Sequence, residues 1–544
     1  MEVDLLKFKK NIISWYPIES KDTVLQVGED EEIHKELLKK TSKVVVIEKI
    51  DEFEMKANFD YVTLIGNFEN LETEKEIINL IEFAKSCLTR DGRILIAMKN
   101  KFGMKYWTGE KESENSEIFG NIVSKKENVF GIAKIKTILD ELKLKYKFYY
   151  PLPDYKTANV IFSDEYLPTN DSIDARDLTY CKDGELLVFS EREAYKQLLN
   201  EDKNQFPFFA NSFFIEVAEK DRFQDIKYVG YGITRKEHHR IKTIIRKNIV
   251  EKTADNELAQ SHIENISRNI KVLDEAKIDC LDKFEKDMII SKFLPDAKSF
   301  DEILMEIYNK KGLDETIKHI KEFKTEILDK LLENKKDNNG FDITNTVFEK
   351  YNVEISNELK EKLHFTKNGI LDLIFQNCLV KGNKIFAYDQ EWYEENVPVE
   401  FILYRAIFYF TELKKRIDIN KVYKKLNLTE YIEVFEKLET ILQGNIVDEG
   451  MWELHRNSTK SLGGSKNFVE SYEAKLDAAN EHIKNLEALV NEYRNGIEDL
   501  NKLIKEKDEG LEDYANQLRA ISNSLSWKIT KPIRTISSAF RKNK

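Results

Sequence analysis

Between residues 472 and 525 apolar side chains recur at alternating steps of four and three. The positions are 472, 476, 479, 483, 486, 490, 493, 497, 500, 504, 507, 511, 514, 518, 521 and 525, and only Lys507 departs from Tyr, Leu, Ala, Ile or Val. A seven-residue repeat held this long keeps one seam turned toward a partner helix, so it specifies a coiled coil over residues 466–526. At 1.5 Å per residue the rod is about 80 Å long. Its seam does not fix two strands against three. The competing arrangement is one amphipathic helix folded back on the rest of the chain, and the heavily charged flanking positions weigh against it.

The remaining residues must supply the globular part. In the 544-residue chain 41% of residues are hydrophobic and 34% charged, with only 8 prolines and 20 glycines, which points to long helices and few structureless linkers. Cys87, Cys181, Cys280 and Cys378 are widely spaced and form no CxxC pair, which fits a reducing cytoplasm rather than a disulfide framework or zinc site. The start MEVDLLKFKKNIISWYP lacks the apolar core of a secretory signal, and no run of apolar residues is long enough to span a bilayer. A net charge of −12 argues against general nucleic-acid binding.

Residues 1–220 alternate short apolar strands with amphipathic helices. VLQVG (24–28), KVVVIEK (43–49), DYVTLIG (60–66) and GRILIAMK (92–99) are predicted as buried strands, with helices near 30–41 and 72–88 between them. That alternation implies a Rossmann-like α/β domain with a parallel sheet covered on both faces. YKFYYPLPDY (146–155) and NSFFIEVA (211–218) form a late strand pair, and the polar segment between them is predicted to be an insertion. Residues 221–455 open with IKYVGYG (226–232), RIKTIIR (240–246) and IVEK (249–252), the last two joined tightly at Lys247–Asn248. Apart from MIISKFLP (288–295), the text then turns mostly helical to about residue 443, so a small β-rich lobe precedes a helical one in a bilobal α+β plan.

The strongest chemical signal is LDLIFQNCLVKGNKIFAYDQEW, residues 371–392. Asp372 and Asn377 are five apart, and Asp389 follows the apolar strand KIFAY after a turn at Gly382–Asn383. This spacing resembles protein kinases, which place a catalytic Asp and a metal-binding Asn five apart and a second metal-binding Asp after a short hairpin. The resemblance assigns Asp372 to orient the attacking hydroxyl and accept its proton, and Asn377 and Asp389 to hold Mg2+ on the phosphates of ATP. Ile370–Leu371 and Gln390–Glu391 replace the kinase His-Arg and Phe-Gly pairs, as in small-molecule and sugar kinases of that fold. Lys252 stands at the end of the third β segment, where a kinase lysine grips the phosphates. Gly230 and Gly232 form only a G-x-G. Glu257, His262 and Glu264 are all open as partners of Lys252. SKFLPDAKSFDEIL (291–304) resembles a kinase hinge followed by a helix capped by Ser299 or Asp301.

The first domain resembles class I S-adenosylmethionine-dependent methyltransferases over VLQVG, the acidic strand end at Glu48, FDYVTLIG and LTRDGRILIAMKNKFGMKYW (88–107). The resemblance makes Gly28 and Glu48 the cofactor-binding positions, the acid holding the ribose hydroxyls. The glycine loop here reads Gly28-Glu29-Asp30-Glu31-Glu32, with bulky acids where the methionyl carboxylate would sit. Eleven residues separate Glu48 from Asp60, too few for another β-α unit, so the domain is expected to be degenerate.

A methyltransferase-like domain, a kinase-like domain and a coiled coil in that order resemble the bifunctional methyltransferase/kinase family that caps O-antigen-type polysaccharides. That resemblance implies phosphorylation of a glycan hydroxyl, with S-adenosylmethionine as a second cofactor where methylation persists, and a coiled coil facing glycosyltransferases. The tail SLSWKITKPIRTISSAFRKNK (524–544) carries Lys528, Lys531, Arg534, Arg541, Lys542 and Lys544 without an acid, beside Trp527, Ile529, Ile533, Ile536 and Phe540. A basic amphipathic segment of this kind, residues 527–544, suits an anionic membrane surface, and a partner protein is its other candidate. The leading expectation is thus a cytoplasmic, membrane-peripheral phosphotransferase that self-associates through its coiled coil. Two alternatives stand beside it: a working methyltransferase with a regulatory pseudokinase, and a non-catalytic scaffold for glycosyltransferases.

Overall fold

The computed structural model describes residues 5–50, 58–111, 117–123, 129–170, 172–173, 188–294, 297–332, 344–382, 384–458 and 465–541. Cys181, Asn383, the Pro295–Asp296 pair of the hinge-like stretch, Lys542 and Lys544 lie outside them, as does the side chain of Phe540. The chain divides into two compact units, Met1–Leu462 and Gly463–Lys544.

In the first unit β1 (Val24–Val27), β2 (Val44–Ile47), β3 (Phe59–Ile65) and β4 (Leu88–Lys99) are parallel. The helices between them start where the sequence supplies caps. Asp30 accepts from the Ile33 N–H at the head of Glu31–Lys40, and Thr73 forms a capping box with Glu76 at the head of Glu74–Ser86. Three strands are buried as expected, but β2 is an edge: Val45 and Val46 are 41% and 37% exposed. No described strand lies outside β2, and β3 pairs with the other side of β1.

Beyond β4 the sheet continues through β5 (Lys145–Leu152), β6 (Val160–Ser163) and β7 (Ser212–Ala218), with β7 antiparallel to both β4 and β5. β6 was hidden in the stretch predicted to be an insertion, yet all four of its residues are buried. It pairs with β5 on one side and with β8 (Ile226–Tyr231) on the other, setting Val160 opposite Gly230, Ile161 opposite Val229 and Phe162 opposite Tyr228. From β8 the ladder runs on through β9 (Ile241–Arg246) and β10 (Ile249–Ala254), joined through Lys247 and Asn248, to the hairpin of β11 (Asp282–Glu285) and β12 (Met288–Lys292). Among the described residues one twelve-stranded sheet therefore crosses the 220/221 boundary without a break, in the order β11-β12-β10-β9-β8-β6-β5-β7-β4-β3-β1-β2. A core cluster crosses it too: Ile12, Trp15 and Tyr16 pack with Ile226, Val229 and Ile244, and with Met451 from the Glu449–Ser458 helix.

The large lobe holds β13 (Lys298–Ser299), β14 (Phe365–Ile370), β15 (Cys378–Lys381), β16 (Lys384–Ala387) and β17 (Tyr393–Pro398). β13, β15 and β16 form one small sheet, and β14 pairs with β17 in a ribbon that helical periodicity did not reveal. The helices Phe300–Lys311, Leu313–Glu326, Val399–Phe408 and Ile432–Ile446 surround a core that includes Phe323, Phe375, Ile402 and Phe435. Ser299, rather than Asp301, caps the first of them, in a box with Glu302.

The second unit is a 59-residue helix, Ser465–Asn523, followed by Leu525–Ile529 and Lys531–Arg541. From residue 476 onward its heptad positions stand exposed, with Leu476, Leu500 and Leu511 at 62%, 60% and 67%. Ser524 ends the long helix and caps the next by accepting from the Trp527 N–H at 3.3 Å, so the repeat stops at Asn523 and its last predicted position, Leu525, begins a new helix. No helix among the described residues is long and apolar enough to cross a membrane.

Removing residues 1–220 would strip cover from Ile226, Val229, Tyr231 and Ile244, all at most 7% exposed. Each such side chain is worth about 1.5–3 kcal/mol of burial, against a total stability of about 5–15 kcal/mol. We expect the 1–462 segment to melt in one cooperative transition and the 221–462 segment to be unfolded by circular dichroism. A folded 221–462 segment with a sharp melt would show that the shared sheet is dispensable.

Candidate active site

The β15–β16 hairpin brings the two ends of the 371–392 motif together. Cys378 faces Ala387 and Lys381 faces Lys384, with Gly382 at φ +63° in the turn. Just below it the Tyr388 N–H donates to the Asn377 carbonyl at 3.0 Å, and Asn377 Nδ2 reaches the Asp389 carbonyl at 3.4 Å. Asp389 itself adopts φ +60°, held by its N–H donating to Asp282 Oδ2 at 2.8 Å. Asp282, on β11, is buried, and burial pushes its carboxyl up. Ser291 on β12 donates to its other oxygen.

Across the cleft, β10 delivers Lys252, 7% exposed, so that Nζ contacts Asp389 Oδ1 and lies 3.4 Å from Glu391 Oε1. The cleft has a volume of about 620 Å3. Lys252, Asp282, Asp389 and Glu391 line it together with Gly230 of β8 and with Gly232 and Arg235 of the β8–β9 connection. Asn159, Val160 and Ser172 come into the same wall from the first half of the chain. The G-x-G glycines make room for neighbours: a Cβ on Gly230 would lie 2.8 Å from the Tyr228 hydroxyl oxygen, and one on Gly232 would lie 3.3 Å from Arg235 Cδ.

Neither acid on the helix side meets Lys252. Glu257 and Glu264 are exposed, and the Gln260–Glu275 helix instead buries His262 and Asn269. His262 Nε2 is 3.5 Å from Glu391 Oε2, so it reaches the lysine's partner rather than the lysine. Burial pushes the Glu391 carboxyl up, but Arg235, Lys252 and His262 outweigh it and hold the group well below the usual carboxylate range. Glu391 is thus the site residue that sequence reasoning missed. Its signal was the second acid in Asp389-Gln390-Glu391, two residues past the metal position.

Asp372 is brought to the same loop but not to the cleft wall. Its Oδ2 accepts the N–H groups of Glu391 and Trp392 at 3.0 and 3.1 Å, and Oδ1 is 3.5 Å from Arg405 Nη2. Arg405 is shared with Glu439, whose Oε2 is 2.5 Å from Nη1. Burial, against the pull of Arg405, pushes the Asp372 carboxyl up to about 6. In this arrangement the Asp372 carboxylate fixes the backbone that carries Asp389 and Glu391.

The donor set fits Mg2+: Asp389 would supply a carboxylate and Asn377 an amide oxygen to a hard cation. Lys252 and Arg235 supply cationic charge for a polyphosphate beside them.

The methyltransferase-like edge is packed by the chain itself. Gly28 has φ +89° and Gly66 φ +79°. Asn67 Nδ2, donating to the Val27 carbonyl at 2.9 Å, sits 3.0 Å from where a Gly28 Cβ would be. The Tyr155 hydroxyl, which donates to Glu69, lies 3.1 Å from the corresponding point on Gly66. Asp30 caps the following helix and pairs with Lys9, while Glu48 is exposed beyond β2. Ligands of open α/β sheets bind outside the carboxyl ends of the strands. Here Asn67 and Tyr155 cross that position at β1 and β3, so the residues present do not fit S-adenosylmethionine.

No known protein family matches the chain, and no curated protein does either. Among solved structures, it is similar to a SAM-dependent methyltransferase from Archaeoglobus fulgidus, at 15% identity over 40% of this chain and 95% of that one, with a TM-score of 0.25. It is also similar to the ADP-bound aminoglycoside phosphotransferase APH(2'')-Ib, at 12% identity over 43% and 94%, with a TM-score of 0.24. A third likeness is the streptomycin–ATP–APH(2'')-IIa ternary complex, at 13% identity over 40% and 88%, with a TM-score of 0.26. The fold of this chain is the one described above from its sheet and its two lobes.

Asp372→Asn keeps one oxygen for the two backbone N–H groups but turns its amide NH2 toward Arg405 Nη2, which loses its acceptor there. A buried donor left without an acceptor costs about 1–3 kcal/mol, so the melting temperature should fall by several degrees at pH 7. Because the folded carboxyl titrates at about 6 instead of its ordinary 3.8, wild-type stability from this group is present below about pH 4 and declines as pH rises through 6. The variant should lack that decline. An unchanged melting temperature and an unchanged pH profile would leave Asp372 free for the reacting hydroxyl alone.

Proposed function

We propose that this chain is an ATP- and Mg2+-dependent phosphotransferase that phosphorylates a hydroxyl of a glycan in bacterial surface-polysaccharide assembly. The observation that carries the phosphotransfer reading is the convergence of Lys252, Asp389 and Asp282 on one cleft, with Asn377 at the neck of the hairpin beside it. Mg2+ bound here would neutralise charge on the phosphates. Asp389 and Asn377 would hold the ion and Lys252 would contact the α- and β-phosphates, while Asp282 keeps the Asp389 backbone in its φ +60° turn. Asp372 is the base or orienter of the acceptor hydroxyl by its place in the motif, and its contacts to Glu391 and Trp392 couple it to the metal-bearing loop.

The glycan acceptor is supported by the order of the parts: a methyltransferase-like half, a kinase-like half and a heptad helix. In this reading the first half no longer transfers methyl groups and serves as structure. Copies of the chain associate through residues 472–525, and the assembly works at the inner face of the plasma membrane beside glycosyltransferases. The Lys531–Arg541 helix, with Ile533 and Ile536 exposed at 69% and 60% beside Lys531 and Arg534, supports contact with an anionic lipid surface.

A thermal-shift series tests the nucleotide reading. A ligand that binds only the folded state raises the melting temperature by mass action. Mg-ATP should raise it, S-adenosylmethionine should not, and Asp389→Asn should abolish the Mg-ATP shift. No shift with Mg-ATP would sink the phosphotransferase reading and favour the scaffold. Light scattering tests the rod separately: the full chain should be oligomeric and a chain ending at residue 460 monomeric, whereas a monomeric full chain would count against the coiled coil.

A further inference from the structure

Kinase-type sites hold the phosphate-binding lysine with a carboxylate from the helix that follows the lysine strand. Here that helix, Gln260–Glu275, turns no acid toward Lys252: Glu264 is exposed, as is Glu257 just before the helix, and the buried polar residues facing the site are His262 and Asn269. The carboxylate comes from elsewhere. Glu391 lies two residues beyond Asp389, is 4% exposed, and places Oε1 3.4 Å from Lys252 Nζ.

Glu391 is fixed from every side. Its N–H donates to Asp372 Oδ2 at 3.0 Å, and its carbonyl accepts from Asn269 Nδ2 at 3.1 Å. Its Oε2 meets Arg235 and lies 3.5 Å from His262 Nε2. Arg235 in turn stacks over the Trp392 ring at 5.7 Å, and its backbone bridges to Val447, which ties the β8–β9 connection to the end of the Ile432–Ile446 helix. One carboxylate thus orients two cations on the cleft wall, the lysine of β10 and the arginine of the loop above it.

We propose that Glu391 is a positioning residue of the phosphotransfer site, taking the place of the helix carboxylate, and that it holds Lys252 and Arg235 as a pair of cations for the polyphosphate of ATP. The division of labour follows from the two acids being alike in charge but different in setting. Asp389 sits at a half-exposed turn on the cleft, where a metal ion can take its carboxylate. Glu391 is enclosed, so Lys252 keeps an anionic partner while Asp389 binds metal. His262 and Asn269 then serve as the helix's contacts to Glu391, which explains why the helix needs no acid of its own.

The inference rests on the nucleotide reading of this cleft, and the experiment separates the two. Mg-ATP binding is measured by calorimetry on the full chain, on Glu391→Gln, and on Glu391→Gln combined with His262→Glu, with thermal melts of each. The double variant moves the carboxylate onto the helix, to a position whose present side chain already lies within 3.5 Å of the Glu391 oxygen. We expect Glu391→Gln to weaken Mg-ATP at least tenfold and the double variant to recover most of that loss. A merely structural role would shift the melts without this rescue. Wild-type affinity in Glu391→Gln, or a double variant that melts like wild type yet does not regain binding, would overturn the proposal. If Glu391→Gln does not fold, the double variant decides alone: near-wild-type binding supports the proposal and absent binding overturns it. Absence of Mg-ATP binding by the wild-type chain would remove the nucleotide reading itself, and this inference with it.

Discussion

The pairing of β6 with β8 is the contact on which the rest of the first unit depends. Three residue pairs, Val160 with Gly230, Ile161 with Val229 and Phe162 with Tyr228, join two sheets that sequence pattern assigns to separate domains. Backbone groups left unpaired in an interior are costly, so once β6 is buried its outer edge must find a partner. β8 supplies it, and Ile161 and Val229 are buried in the same core as Trp15 and Tyr16. The consequence reaches the cleft, because Val160 and its neighbour Asn159 stand in the wall that Gly230 and Lys252 complete. The first half of the chain therefore acts as an extension of the small lobe.

Within the cleft the controlling term is charge enclosed by burial. Lys252, Arg235, His262, Asp389, Glu391 and Asp372 lie within a few contacts of one another, and a buried charge left unpaired is heavily penalised. The arrangement avoids this by giving the three buried acids distinct sets of partners. Asp372 has two backbone N–H groups and Arg405, Glu391 has Lys252, Arg235 and His262, and Asp282 has Ser291 and the Asp389 N–H. The same logic accounts for the opposite directions of two neighbouring carboxyls. Asp372 is raised because burial exceeds what one guanidinium returns, whereas Glu391 is lowered because two cations and an imidazole exceed its burial.

Much of this was legible from local pattern. The strands at 24–27, 59–65 and 88–99, the hairpin that carries Asp389, the Ser299 cap and the heptad helix each depend on residues within one or two turns of one another. β6 was not legible, because three apolar residues and a serine in polar surroundings give no periodicity to read. The exposed face of β2 was not legible either: Val44–Ile47 reads as a buried strand, yet among the described residues it stands at the edge of the sheet.

By itself the sequence determined which residue types could do the chemistry and how far apart they stand along the chain. Asp372, Asn377 and Asp389 owe their spacing to a loop and hairpin whose geometry is local. The tertiary structure alone decided which of them meet. Lys252 and Glu391 are separated by 139 residues, and neither sequence distance nor propensity pairs them. Only the closing of the small lobe on the large one, with Asn269 and Asp372 gripping the backbone of residue 391, brings that carboxylate under the lysine and leaves Glu257 and Glu264 in solvent. The physical reason is that a charge pair forms where desolvation and packing have already placed both partners, and packing is a property of the whole fold.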